Sequence, residues 1–237
     1  MRHAAVIFGA SGGIGGALVE AVAASGAYSS VHAVSRSPRA APRGVTVHRA
    51  DLTDEESIAR VAAMVEATGH VGMLIVASGV LHEGDITPEK SLKAIDPAAL
   101  AQLFAVNAVG PALVAKHFMG LLPLSGRSTF AAISARVGSI EDNRLGGWYG
   151  YRASKAALNQ LIRTFAIELK RSRPEAVALA LHPGTVATEL SKPFRSHGAA
   201  GTFSPSEAAS DLLAVIGKAS ADQSGQLLAW DGSRIPF

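Results

Sequence analysis

The 237-residue chain contains no cysteine, which removes disulfides, thiolate nucleophiles and cysteine metal ligands together and fits a cytoplasmic protein. Aromatics are scarce at 5% and charged residues make up only 17%. With 48% hydrophobic residues and mean hydropathy +0.24, the composition is that of a globular chain rather than a disordered one. No unbroken run of about 18 apolar residues occurs, so no membrane association is expected. Met1-Arg2-His3 leads straight into a short apolar strand, not into a signal-type segment. The eight histidines form neither HxxxH nor HxH, so no catalytic metal is expected. A net charge of +3 comes from scattered Lys and Arg without a basic stripe, which speaks against nucleic acid and leaves a phosphate-bearing small ligand as the anionic partner.

Short β-branched runs alternate with helical patterns along the whole chain. Strands are expected at Ala4–Phe8, Val31–Ser35, Val45–His48, Met73–Ala77, Thr129–Ser134, Ala176–His182 and Gln226–Trp230. Helices are expected from about Gly13, from about Asp54, over Pro97–Leu122, over Tyr149–Arg171 and over Glu207–Val215. That alternation predicts an α/β fold: a single-domain, Rossmann-like, doubly wound parallel sheet of about seven strands in the order 3-2-1-4-5-6-7, with helices on both faces. No repeat or linker divides residues 1–237, so one domain is expected. Lys192–Ser204, with Pro193, Ser196, Gly198 and Gly201, has little periodicity and reads as a lid.

After the first strand come Phe8-Gly9-Ala10-Ser11-Gly12-Gly13-Ile14-Gly15. Glycines at 9, 13 and 15 permit a tight turn and a close backbone approach to a pyrophosphate at a helix N-terminus. The alternative is a strand-to-helix turn with no ligand, but its place in the first βαβ unit favours binding. Where NAD-specific folds carry an acidic residue, the second strand here ends in Ser35-Arg36. A guanidinium pairs with a 2′-phosphate where a carboxylate would repel it, so NADP(H) is expected over NAD(H) unless Arg36 is merely solvated. Asp51-Leu52 follows the third strand; Asp51 either reaches the adenine edge or caps the next helix, or does both.

Tyr151-Arg152-Ala153-Ser154-Lys155 places a phenol and an ammonium on one helix face. The ammonium favours phenolate and so tunes an acid whose ordinary pKa is near 10. In carbonyl reduction such a phenol protonates oxygen as hydride reaches carbon; in the reverse direction the phenolate takes the alcohol proton. The rival Tyr149 has no lysine four residues on.

With these motifs in order, the chain resembles the short-chain dehydrogenase/reductase family over nearly its whole length. The Gly9/Gly13/Gly15 loop, Asp51-Leu52, Val106-Asn107, Tyr151/Lys155 and Pro183-Gly184-Thr185-Val186-Ala187-Thr188 carry the likeness. Gly138-Ser139-Ile140 through Gly146-Gly147 to Tyr149-Gly150-Tyr151-Arg152 is similar to the carbonyl-reductase-like and C-factor-like branch. The resemblance implies that Asn107 holds a water for proton relay, that Lys155 also binds the nicotinamide ribose, and that Pro183, Gly184, Val186 and Thr188 contact the carboxamide. It implies a homodimer or homotetramer paired through the long helices. The bland alternatives are that Asn107 only satisfies backbone groups in its helix and that Pro183-Gly184 only ends a strand; His182 either lines the nicotinamide pocket or is structural.

Three departures from the family pattern stand out. Phe8 replaces the threonine before the first glycine, and Val76-Ala77-Ser78-Gly79 replaces Asn-Asn-Ala-Gly, although Ala77, Ser78 and Gly79 still admit cofactor. Ile133-Ser134-Ala135-Arg136-Val137-Gly138 has alanine where the family has its substrate-facing serine. Ser134 is favoured for that role, with Ser139 or no serine as alternatives. The substrate pocket is expected between Ser139–Trp148 and Lys192–Phe203. The function expected is NADP(H)-dependent hydride transfer between nicotinamide and a carbonyl or secondary-alcohol substrate. The alternative is an NADP(H)-binding signalling or regulatory protein with vestigial catalysis.

Overall fold

The computed structural model describes residues 3–84, 86–194 and 201–237. In chain order the strands are β1 (Ala4–Phe8), β2 (Ser30–Ser35), β3 (Val45–Arg49), β4 (Val71–Val76), β5 (Ser128–Ile133), β6 (Ala176–His182), β7 (Thr185–Val186), β8 (Thr202–Phe203), β9 (Leu227–Ala229) and β10 (Arg234–Ile235). The α-helices are α1 (Gly13–Ser25), α2 (Glu55–Glu66), α3 (Pro97–Phe104), α4 (Gly110–Phe118), α5 (Tyr149–Ser172) and α6 (Pro205–Lys218).

Strands β3, β2, β1, β4, β5, β6 and β9 pair in that order and all in parallel. The expected seven-strand order is therefore present, with β9 as the seventh strand. Beyond it β10 adds an antiparallel edge strand, and β7 and β8 form a separate two-stranded ladder. These pieces are too short to leave a period in the sequence.

Every residue of β1 is buried, as a central strand covered on both faces requires. Its alternation splits the core in two. Val6 and Phe8 join Phe118, Leu158 and Ile162 on the face covered by α2, α4 and α5, whereas Ala5 and Ile7 join Leu18, Val22 and Leu212 under α1 and α6. The departure at Phe8 has its cause here: its ring meets Phe118 edge-on with centroids 5.4 Å apart.

Helix starts follow side-chain capping. Asp54 accepts from the Ser57 N–H and Asp96 from the Ala99 N–H, and Ser204 and Glu207 form a capping box around Pro205. Asp51, the other capping candidate, instead accepts from the N–H and hydroxyl of Thr53 at 2.9 and 2.8 Å. The long helix expected over Pro97–Leu122 is divided: α3 passes through a π turn at Ala105–Val109 into α4 and then a single 3₁₀ turn at Met119–Leu121. By length and composition Pro97–Leu121 could cross a bilayer, with a mean hydropathy of 1.7 in its most apolar window. Gln102 and Asn107 hide this from a search for unbroken apolar runs. In the fold this stretch packs along α5 and α2.

The strand order reverses between β1 and β4, and a crevice outside the carboxyl ends of the strands at such a point is where α/β sheets bind ligands. The C-terminal ends of β1 and β4, and of β5 and β6 beside them, carry the candidate site.

Candidate active site

The glycine loop sits at the switch point. Gly9 has φ +82°, and a Cβ there would lie 2.6 Å from the Ser78 nitrogen; a Cβ on Gly15 would lie 2.1 Å from the Gly9 carbonyl oxygen. Only glycine fits either position. Gly12 caps α1 without any side-chain hydrogen bond, and no acidic residue stands in the first turn. Ser11, Gly12 and Gly13 thus present a helix N-terminus whose N–H groups and partial positive charge suit an anion. Ile14 packs against the core under α1. A Cβ on Gly13 would lie 2.8 Å from Thr188 Cγ2, so the turn from Pro183 through Gly184 and Val186 to Thr188 closes over the glycine loop. These features fit a dinucleotide: the backbone is bare where a pyrophosphate would lie.

At the β2 end, Ser35 is buried and Arg36 is exposed. The Arg36 guanidinium donates to Glu83 Oε1 at 2.8 Å. Arg39, three residues on, lines a hollow behind the loop with Ala10, Gly16, Ser35 and Val47. It was not a sequence candidate, although its spacing from Arg36 in Ser35-Arg36-Ser37-Pro38-Arg39 is a readable signal. Leu52 turns into the core, where a Cβ on Gly110 would meet its Cβ at 2.6 Å.

Tyr151 and Lys155 lie on the first turns of α5, both buried. Lys155 Nζ is 5.8 Å from the Tyr151 ring centroid and donates to the Ile133 carbonyl at 2.8 Å. Burial raises the Tyr151 phenol above its ordinary value and pulls the Lys155 ammonium down to about 8. Asn107, fully buried in the π turn, accepts from the Val80 N–H and donates to the Val80 carbonyl, both at 2.8 Å, and donates to Ser154 Oγ at 3.1 Å. Its amide therefore joins the loop after β4 to α5, not groups within its own helix. A Cβ on Gly79 would stand 3.3 Å from Lys155 Nζ and 3.4 Å from Asn107 Oδ1, so Ala77, Ser78 and Gly79 pass between the glycine loop and the Tyr/Lys pair.

The serines separate. Ser134 Oγ donates to Asn159 Oδ1 at 2.6 Å, and Asn159 Nδ2 donates to the Gly138 carbonyl at 3.3 Å, so Ser134 is turned toward α5. Ser139 Oγ accepts from the Asp142 N–H at 3.0 Å, which leaves its own proton to donate. His182 Nδ1 is buried without a partner among the described residues, and burial, with the Arg136 charge, lowers its pKa to about 4.

The approach to Tyr151 is walled by Trp148 and Phe194, which lie within the expected pocket segments without having been singled out there. Trp148, the N-cap of α5, has φ 53° and ψ 44°, a left-handed conformation that costs a non-glycine residue roughly 1–2 kcal/mol. Its ring meets Tyr151 edge-on at 6.3 Å and Phe194 at 5.1 Å. Of the expected lid and pocket segment, residues 195–200 lie outside the described residues; Lys192–Phe194 forms a short 3₁₀ turn.

A glycine-lined helix N-terminus at the switch point, facing a buried Tyr/Lys pair on a neighbouring helix, defines a dinucleotide-binding oxidoreductase. The family model for short chain dehydrogenase matches residues 3–199, and the chain belongs to that family. It is 33% identical over 144 residues to C-signal of Myxococcus xanthus, covering 60% of this chain and 81% of that protein. It is 30% identical over 198 residues to 1-hydroxy-2-glutathionyl-2-methyl-3-butene dehydrogenase of Rhodococcus sp. strain AD45, covering 83% of each. A short-chain dehydrogenase/reductase structure from Burkholderia multivorans with bound NADP superposes with TM-score 0.81 at 25% identity, over 100% of both chains.

Proposed function

We propose that residues 1–237 form one catalytic domain that transfers hydride between NADP(H) and a carbonyl or secondary-alcohol substrate, with Tyr151 as acid and base. The observation that carries this reading is the buried Tyr151/Lys155 pair set across Gly79 from the glycine loop. Bound nicotinamide would supply or accept the hydride. Tyr151, held protonated by burial, donates its phenolic proton to the substrate oxygen in reduction. Lys155, still largely charged at neutral pH, stabilises the phenolate left behind.

The Asn107 side chain is committed to Val80 and Ser154. Its backbone carbonyl lies in the π turn, where an α-type bond from Pro111, four positions on, is impossible because proline has no N–H. That carbonyl is the atom we assign to a relay water. Ser139, not Ser134, is assigned the second hydrogen bond to the substrate oxygen, because its proton is uncommitted. Arg36, with Arg39 beside it, favours NADP(H) over NAD(H), in keeping with the NADP held by the Burkholderia relative. Pairing as a homodimer or homotetramer through α4 and α5, where Val109 at the end of the π turn and Ile167 in α5 are about half exposed, belongs to the same reading.

The test is NADPH oxidation by purified protein against a panel of ketones and aldehydes, with NADH in parallel. Turnover is expected to fall about a hundredfold or more in Tyr151→Phe, and to decline as pH rises through about 8 while Lys155 loses its proton. Undiminished turnover by Tyr151→Phe rejects the assignment. Ala135 and the match to C-signal favour a second reading, a cofactor-binding signalling protein; tight NADPH binding with no turnover across the panel would select it.

A further inference from the structure

Glu89 lies in the loop between β4 and α3, 62 residues before Tyr151, and only 5% of its surface is exposed. Among the described residues its carboxylate has no ion-pair partner. A buried charge of this kind is costly to keep unless something specific holds it. What holds it is the start of α5: the Gly150 N–H donates to Oε1 at 3.1 Å and to Oε2 at 3.2 Å, with the positive end of a 24-residue helix behind it. The same residue's backbone carbonyl accepts from the Trp148 N–H at 2.6 Å. Glu89 therefore grips α5 on both sides of Tyr149, immediately before Tyr151.

Gly146, Gly147 and Trp148 are three consecutive residues with positive φ. Arg152 holds the first two from the other side, donating to the carbonyls of Gly146 at 3.2 Å and Gly147 at 2.9 Å and to that of Val137 at 3.2 Å. Space is tight as well: a Cβ on Gly150 would lie 2.7 Å from Leu103 Cδ1 and 2.9 Å from Glu89 Oε1. Backbone strain such as that at Trp148 persists only where its surroundings over-determine it, and it gathers at functional sites.

We infer that Glu89 is a positioning residue for Tyr151: its reach to the Gly150 N–H, rather than its charge, sets the first turn of α5 and with it the phenol and the Trp148 wall beside it. This deepens the reading of Tyr151 as the acid and rests on it. A displacement of about 1 Å at a reacting group can cost as much as 10²-fold in rate, so the grip should show in turnover and not in cofactor binding, since among the described residues Glu89 has no hydrogen bond or ion pair to the glycine loop.

Two variants separate reach from charge. Glu89→Gln keeps the length and an acceptor oxygen; Glu89→Asp keeps the charge but is one methylene too short. With the carbonyl substrate of best turnover, Glu89→Gln is expected to retain kcat to within about threefold and Glu89→Asp to lose about tenfold or more, with the NADPH Kd of both within about twofold of the parent. The reverse order of the two variants, unchanged kcat in both, or kcat and NADPH affinity falling together would each overturn the inference. Glu89→Ala, where it folds, should match Glu89→Asp, and an active Glu89→Ala overturns it too. Failure of the underlying reading is seen separately, as activity that survives Tyr151→Phe.

Discussion

At the scale of single residues, the proposed NADP(H) preference turns on one guanidinium. Arg36 is paired with Glu83 across an exposed gap, and such pairs contribute only about 0–1 kcal/mol. A 2′-phosphate, carrying more charge and fork-matched to arginine, would replace the carboxylate. Glu83→Gln is therefore expected to tighten 2′,5′-ADP binding a few-fold and leave 5′-ADP unchanged, whereas Arg36→Ala should sharply reduce the preference between the two, leaving only what Arg39 supplies; calorimetric titration reads both. Equal binding of the two nucleotides by the parent protein would rule out the NADP(H) assignment. At the chemical end, removing a transition-state hydrogen-bond donor costs about 2.7–4 kcal/mol. Ser139→Ala should thus lower kcat about a hundredfold, with Ser134→Ala affecting thermal stability more than kcat, because Ser134 supports Asn159 and through it the Gly138 carbonyl. The opposite pattern would return the role to Ser134. Arg36 was legible in the sequence and Ser139 stood there as an alternative, but the choice between the serines was not, because Ser134 and Ser139 differ only by position along the chain.

Among elements, the π turn at Ala105–Val109 shows what periodicity conceals. An apolar repeat runs through Pro97–Leu122 without a visible break, yet Asn107 must turn toward Val80 and Ser154, and one extra residue in the turn gives it that aim. Pro111 was the available hint. The pair β2 and β3 holds a different signal. His32 Nδ1 lies 3.0 Å from His48 Nε2, and their rings stack at 5.2 Å. Burial, with its neighbour's charge, lowers His32 from 6.5 to about 4, and burial lowers His48 as well. Histidines kept neutral in the fold but free to charge in the unfolded chain contribute stability that is complete above about 6.5 and is lost as pH falls toward 4. Tm should accordingly fall across that window, with His182 adding to the slope. A Tm that stays level between pH 7 and pH 4 would contradict the neutral pair.

For the molecule as a whole, the parallel sheet order, the two helical layers and the glycine-loop turn were legible because each rests on local chemistry. A strand buried on both faces must be apolar throughout, a helix start needs a cap, and Gly9 and Gly15 admit no Cβ. The order of those signals along the chain fixed the family resemblance and placed Tyr151 and Lys155 on one helix face. Tertiary structure decided the rest, since it depends on contacts between residues far apart in sequence. Leu52 enters the core rather than the cleft, against Gly110; Ser134 is drawn away by Asn159; Arg36 is met by Glu83 from 47 residues on. Glu89, 61 residues from Gly150, gives no local pattern at all. The chain's periodicities and turns determined which fold it adopts and which pair could do the chemistry, because those are set by neighbours three or four residues apart; which side chains are free to act was decided only when folding chose their long-range partners.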